Sequence, residues 1–239
     1  MKHGLENTLE HAPTEPVSAS QRFLLFIENL RNIQGVLKSE EYESSGNSGE
    51  IKVDTDPNHR KLMLVKTDTG ALVNADRELA IERLSACVAL FVQGPGVNFL
   101  VHLTPSTDLG YYYHRFPNAE EIVRAKVQKI LEPLAQAVEL SSCHGLIVPN
   151  DGNNNGGPYD KSNVSQAWTR LKDILVEAGL GNVVLSEPLP LDETTLYYNP
   201  QESGTLFAAG LDVNSEDSNS TQQHKKQIRI SIQSGKFAS

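Results

Sequence analysis

The segment Leu84-Ser85-Ala86-Cys87-Val88-Ala89-Leu90-Phe91-Val92-Gln93-Gly94-Pro95-Gly96-Val97-Asn98-Phe99-Leu100-Val101-His102-Leu103-Thr104 decides how the chain is read. Two apolar runs rich in Val, Leu and Phe flank Gln-Gly-Pro-Gly, which is the pattern of a β-hairpin. With Gln93 to Gly96 as the loop, Val92 pairs with Val97, Phe91 with Asn98, Leu90 with Phe99, Ala89 with Leu100, Val88 with Val101 and Cys87 with His102. Side chains alternate across a strand. One face then carries Val88, Leu90, Val92, Val97, Phe99 and Val101, and the other Cys87, Ala89, Phe91, Asn98, Leu100 and His102. Directly opposed residues hold their Cβ atoms about 4.5–5.5 Å apart. A thiol and an imidazole are thus expected to face each other, with the opposite face anchored in a core.

That pairing is the geometry of a nucleophile and its base. A free cysteine has a pKa of about 8.5 and attacks only as the thiolate. A neighbouring imidazole takes its proton and holds the ion pair. The competing reading is an ordinary buried strand cysteine, since cysteine is among the residues most often buried.

Leu84-Ser85-x-Cys87 at a strand start, then Val101-His102 fifteen residues after the cysteine with Thr104 close behind, resembles the catalytic region of the cytotoxic necrotizing factor toxins. The order of elements that follows resembles the bacterial chemoreceptor glutamine deamidases of the CheD family, so the chain is similar to the Cys-His glutamine deamidase superfamily over about residues 60 to 213. It departs from the CheD pattern at His144-Gly145-Leu146-Ile147, where that family carries a Gly-Gly pair, and at Ile81, where it carries threonine. The resemblance implies a cysteine-dependent amidohydrolase, a toxin or effector among the options, that converts a protein glutamine to glutamate through a thioester. It implies no cofactor, no metal, and a protein substrate with an accessible glutamine. In that scheme Cys87 attacks, His102 shuttles the proton, and Thr104, Asn98 or a main-chain carbonyl orients the imidazole. Ser85 braces the strand start, and backbone N–H groups at Ala86 and Cys87 hold the oxyanion. Tyr111, Tyr112 and Tyr113 line a substrate groove or, equally, pack a core edge. A transglutaminase using the same thioester and a non-enzymatic interaction protein of the same fold are the alternatives.

Composition bounds these readings. The chain has 239 residues with 38% hydrophobic and 21% charged, in keeping with a single domain carrying extensions. Thirty acidic against 21 basic residues give a net charge of −9, and no basic cluster exceeds His224-Lys225-Lys226, which argues against nucleic acid. No apolar run approaches a membrane span, and the polar start carries no signal-peptide pattern. A cytoplasmic location is expected, with signal-independent export into a host cell left open. Two cysteines, Cys87 and Cys143, make no disulfide framework and no paired zinc motif.

Residues 1–17 read as a mobile arm, 18–213 as one domain, and 214–239 as a polar loop with a C-terminal edge strand. Phe23, Phe26, Ile27, Leu30, Ile33 and Leu37 mark a helix over 18–38. The Glu/Ser/Gly-rich stretch 40–49 reads as a loop. Strands are expected at 51–53, 61–66, 145–149, 183–185, 194–198, 205–208 and 227–233. Residues 78–83 read as either a helical turn or a strand leading to Cys87. Asn118 with Glu121 has capping-box spacing and opens a helix to about 140, with Pro133 kinking it. A further helix over 162–178 ends at Gly179. The Asn/Gly loop 150–159 imitates half of an EF-hand, but position twelve is Ser162, so calcium is not expected. Together these give an α/β layered sandwich: a mixed, largely antiparallel sheet with helices packed on it.

Overall fold

The computed structural model describes residues 42–84, 87–104, 117–150, 161–212 and 225–238. The expected helix at 18–38, the Tyr111–Tyr113 loop, most of the Asn/Gly loop, Ser85 and Ala86 lie outside them. In chain order the elements are β1 (Tyr42–Ser44), β2 (Ile51–Asp54), β3 (Leu62–Val65), β4 (Gly70–Asn74), β5 (Leu79–Leu84), β6 (Val88–Gly94) and β7 (Val97–Leu103). Then come α1 (Ala119–Ala137), β8 (His144–Pro149), α2 (Lys161–Glu177), β9 (Asn182–Leu185), β10 (Leu191–Tyr198), β11 (Thr205–Asp212), β12 (Lys225–Ser231) and β13 (Phe237–Ala238).

The α/β layered sandwich is what forms, with its strands divided between two mixed sheets. One runs β1-β3-β5-β10-β11-β12-β13 and the other β2-β4-β7-β6-β8-β9. Leu79, Ile81, Leu196, Leu206 and Ile230 of the first meet Ala71, Ala89, Phe91, Leu100 and Leu146 of the second in a core between the sheets. The opposite face of the six-stranded sheet presents Val88, Leu90, Val92, Phe99 and Val101 to Val123, Val127 and Leu131 of α1 and Leu171 and Leu175 of α2. The hairpin is therefore buried on both faces, not on one.

The β6–β7 hairpin forms with the expected faces and a different register. Gly94 pairs with Val97, Gln93 with Asn98 and Val92 with Phe99, leaving a two-residue turn at Pro95-Gly96. Gly96 has φ 74°, so Pro95 followed by Gly96 suits a type II turn. Gly94 reads in sequence as a loop residue, but it belongs to the ladder and is there for packing. A Cβ on it would stand 3.0 Å from Cys143 Sγ and 3.3 Å from Val138 Cγ2. Shortening the loop by two residues slides every pair by two, and a shift of two keeps each side chain on its face.

Residues 78–83 resolve into strand β5, and β4 is a strand the sequence reading missed, although Ala71-Leu72-Val73 is an apolar run between Gly70 and Asn74. Tyr42–Ser44 is a short strand inside the stretch expected to be loop. β12 docks on β11 as expected and buries Ile228 and Ile230, but β13 takes the edge position. α1 begins after Asn118, whose side chain makes no capping bond, and continues through Pro133 to Ala137. α2 ends as expected: Gly179 has φ 109°, Leu180 N–H donates to Leu175 O and Gly179 N–H to Val176 O, a Schellman closure.

Candidate functional site

Several strand ends meet along one rim of the sandwich. Val88 at the start of β6 faces Leu103 at the end of β7 and Pro149 at the end of β8. In the other sheet Leu84 faces Thr194, and Leu191 faces Asp212. Asn150 ties the two sheets here: its Nδ2 donates to Leu84 O and, at 2.9 Å, to Thr194 Oγ1, while its N–H donates to Cys87 O at 2.9 Å. Two non-glycine residues with left-handed φ flank the rim, Arg83 at 57° and Asp68 at 58°.

Cys87 sits at this rim, buried, on the inter-sheet face. His102 lies on the same face of β7, directly opposite Ala89 rather than opposite Cys87. Continuing the ladder, the position opposite Cys87 belongs to Thr104, and His102 becomes its diagonal neighbour. Diagonal pairs hold their Cβ atoms about 7–8 Å apart, against about 4.5–5.5 Å for direct ones. The expected direct thiol–imidazole pair is therefore replaced by a diagonal one, because the two-residue turn moved the register.

The His102 side chain has no exposure, and neither ring nitrogen has a hydrogen-bond partner. Its backbone N–H donates to Thr69 O at 2.9 Å. Burial holds the imidazole pKa down to about 4, although the nearby Asp68 charge works in the opposite direction. The resting imidazole is thus neutral near pH 7, and the expected thiolate–imidazolium pair is not the resting state. Thr104 does not reach the imidazole; its Oγ1 donates to Asp68 Oδ1 at 3.5 Å. Asn98, the other candidate for orienting the ring, is at the far end of β7 and donates to Ala75 O.

Cys143 is on the helix-covered face at the opposite end of β6, where its Sγ approaches Gly94. Both cysteines are free thiols. Seven residues of β6 separate their ends, about 20 Å of strand, far beyond disulfide reach. Burial raises the Cys143 thiol pKa, in keeping with a structural role.

Two further features were not read from the sequence. Arg77, whose side chain is fully buried, donates to Asp54 Oδ2 at 2.5 Å, Glu43 Oε2 at 3.2 Å and Lys61 O at 2.7 Å. The Glu43, Asp54 and His59 donor atoms lie within 4.8 Å of one another, but Arg77 and Lys52 already compensate both carboxylates. The second is a cavity of about 170 Å³ beside the rim, walled by Glu50, Asp68 and Thr69 on one side and Lys126 and Lys129 of α1 on the other, with Val101, His102 and Leu103 contributing.

No family model and no curated protein matches the sequence. Among solved structures, the chain is similar to the Bacillus licheniformis hypothetical protein YfiH, at 15% identity and a TM-score of 0.39 over 68% of this chain and 70% of that one. It is also similar to the Neisseria meningitidis protein NMB0706, of family DUF152, at 8% identity and a TM-score of 0.35 over 75% and 73%. Both likenesses are too distant to carry a function across. The expected membership of the Cys-His glutamine deamidases is corrected on these findings. The neighbours are YfiH and DUF152 proteins rather than chemoreceptor deamidases or necrotizing-factor toxins, and the register separates the thiol from the imidazole. Glutamine deamidation through a thioester, and the hydrolase, toxin and effector readings attached to it, are set aside. No described helix is long and apolar enough to cross a membrane.

Proposed function

We propose that the chain is an enzyme whose active centre is the rim between the sheets at Cys87, with His102 as its acid–base group. The observation that carries this reading is the His102 imidazole, buried with both nitrogens unpaired. A buried polar group left without a partner costs about 1–3 kcal/mol, and a catalytic role is one reason for a native protein to keep one; of the buried side chains left so among the described residues, only His102 is a titratable group. A neutral imidazole accepts a proton at one nitrogen and donates at the other. The diagonal offset puts the ring one pair of residues along the ladder from the Cys87 thiol, on the same face. Asp68, the charge that raises the imidazole pKa, would stabilise the protonated ring during turnover.

The test is untargeted. Purified protein is incubated with a small-molecule cell extract, and mass spectrometry follows which compounds change. At least one compound is expected to be consumed by the native chain and by Cys143→Ala, and spared by Cys87→Ala and His102→Ala. Consumption surviving both rim substitutions, or no consumption by the native chain, would defeat the reading.

A further inference from the structure

We infer that the cavity between α1 and the 47–50 and 68–69 turns binds a small aliphatic zwitterion, a molecule bearing one ammonium and one carboxylate such as a free amino acid. The cavity shares Asp68 and part of its lining, His102, with the rim, but Glu50 and Lys129 have no part in the rim chemistry, so variants at these two test the cavity alone.

Charge of opposite sign lines the cavity from different elements: Glu50, exposed, and Asp68, half-buried, from the two turns, and Lys129, exposed, from α1. On one wall Asp68 accepts from Ser48 Oγ at 2.8 Å and from Thr104 Oγ1 at 3.5 Å, and Glu50 accepts from Asn47 N–H at 3.0 Å. All three donors are uncharged, and neither carboxylate has a cation partner among the described residues. On the other wall Lys129 of α1 has no carboxylate partner among the described residues. Ile51, Val101 and Ile130 supply apolar lining between them. A ligand with a single charge would satisfy one wall and leave the other, whereas a zwitterion answers both and lays its side chain on the apolar part.

Size points the same way. The cavity of about 170 Å³ holds the liquid volume of about five or six waters at ≈ 30 Å³ each. That is below the roughly 300 Å³ at which pockets for drug-sized ligands begin, so the occupant is small. A wider trough of about 490 Å³ adjoins it, sharing Gly49, Glu50, Ile51, Lys129 and Ile130.

The test is calorimetric titration of the full chain with three probes that share the isobutyl side chain: leucine, 4-methylpentanoate lacking the ammonium, and isopentylamine lacking the carboxylate. Leucine is expected to bind at least tenfold more tightly than either of the others. Lys129→Gln and Glu50→Gln are each expected to weaken leucine at least tenfold, with the thermal unfolding of both variants checked against the native chain. Absence of binding at millimolar leucine, a singly charged probe binding as well as leucine, or leucine binding unchanged by Lys129→Gln would overturn the assignment.

Discussion

At the scale of single residues, His102 is where stability and function pull apart. Replacing an unsatisfied buried polar group by an apolar one of similar shape is neutral or stabilising. His102→Leu is therefore expected to raise the unfolding free energy by about 1–3 kcal/mol, read by urea denaturation at pH 7, while removing the activity assigned to the rim. A loss of stability in this variant would mean the imidazole has a partner. The pH dependence follows with a definite sign. The unfolded imidazole takes its proton near 6.5 and the folded one at about 4, so between those values the unfolded state holds more protons and stability rises with pH. The contribution is complete above the unfolded value and lost as pH falls toward 4. At 1.36 kcal/mol per unit it amounts to about 3 kcal/mol. Urea midpoints measured from pH 7 to pH 4 should fall in the native chain and fall less in His102→Leu. Equal slopes would contradict the depressed pKa. This burial was not legible in the sequence. A strand covered on both faces offers no open side, yet Cys87 and His102 beside Ala89 and Leu100 read as a half-open one.

At the scale of elements, the hairpin shows what periodicity reads and what it misses. Alternation of Val, Leu and Phe gave each side chain its correct face, because that pattern survives a slip of two residues. The register was not legible, because Gly94 has two reasons to be glycine and the sequence cannot separate a turn from a tight contact with Cys143. The contact is testable. Gly94→Ala is expected to cost about 1–3 kcal/mol from overpacking, and less in a Cys143→Ala background, since the nearest atom to the new Cβ is Cys143 Sγ at 3.0 Å. Denaturation of the two singles and the double gives the coupling. Strict additivity would show that the close approach does not set the requirement for glycine. The amphipathic helices were readable to within a residue or two at most ends, because α1 and α2 each lay one apolar stripe on the sheet. β1 was not, its three residues being too few to display a period, and β4 was missed although its Ala71-Leu72-Val73 run is as apolar as that of β3.

At the scale of the whole molecule, the layered sandwich was legible from the succession of apolar runs, and its division into two sheets was not. Nor was the ion-pair knot at the β1 and β2 edges, because Arg77 draws its partners from 23 and 34 residues away. In that knot, burial pushes the Asp54 carboxyl up, but hydrogen bonds and charge from Arg77 and His59 outweigh it and leave its pKa lowered. Lys52, ahead of Arg77, does the same for Glu43. Both carboxylates thus contribute stability that is present above their unfolded pKa values and lost as pH falls through the folded ones. Arg77→Ala takes the buried guanidinium from Asp54, Glu43 and Lys61 O and leaves Asp54 only the exposed His59; it is expected to cost about 3 kcal/mol, the low end of the loss when one partner of a buried pair is removed. Thermal unfolding at pH 7 reads it. A change under 1 kcal/mol would show that the knot does not hold the two edges together.

The claim on which the site depends is that His102 is buried, neutral and unpaired, on the same face as Cys87. The most direct measurement is a pH titration of its side-chain nitrogens by ¹⁵N–¹H NMR, assigned by comparison with His102→Leu. The account predicts a neutral ring at pH 7 that takes up its proton only near pH 4. An imidazole that titrates at or above 6.5, or that is already charged against the Cys87 thiolate at neutral pH, would contradict it.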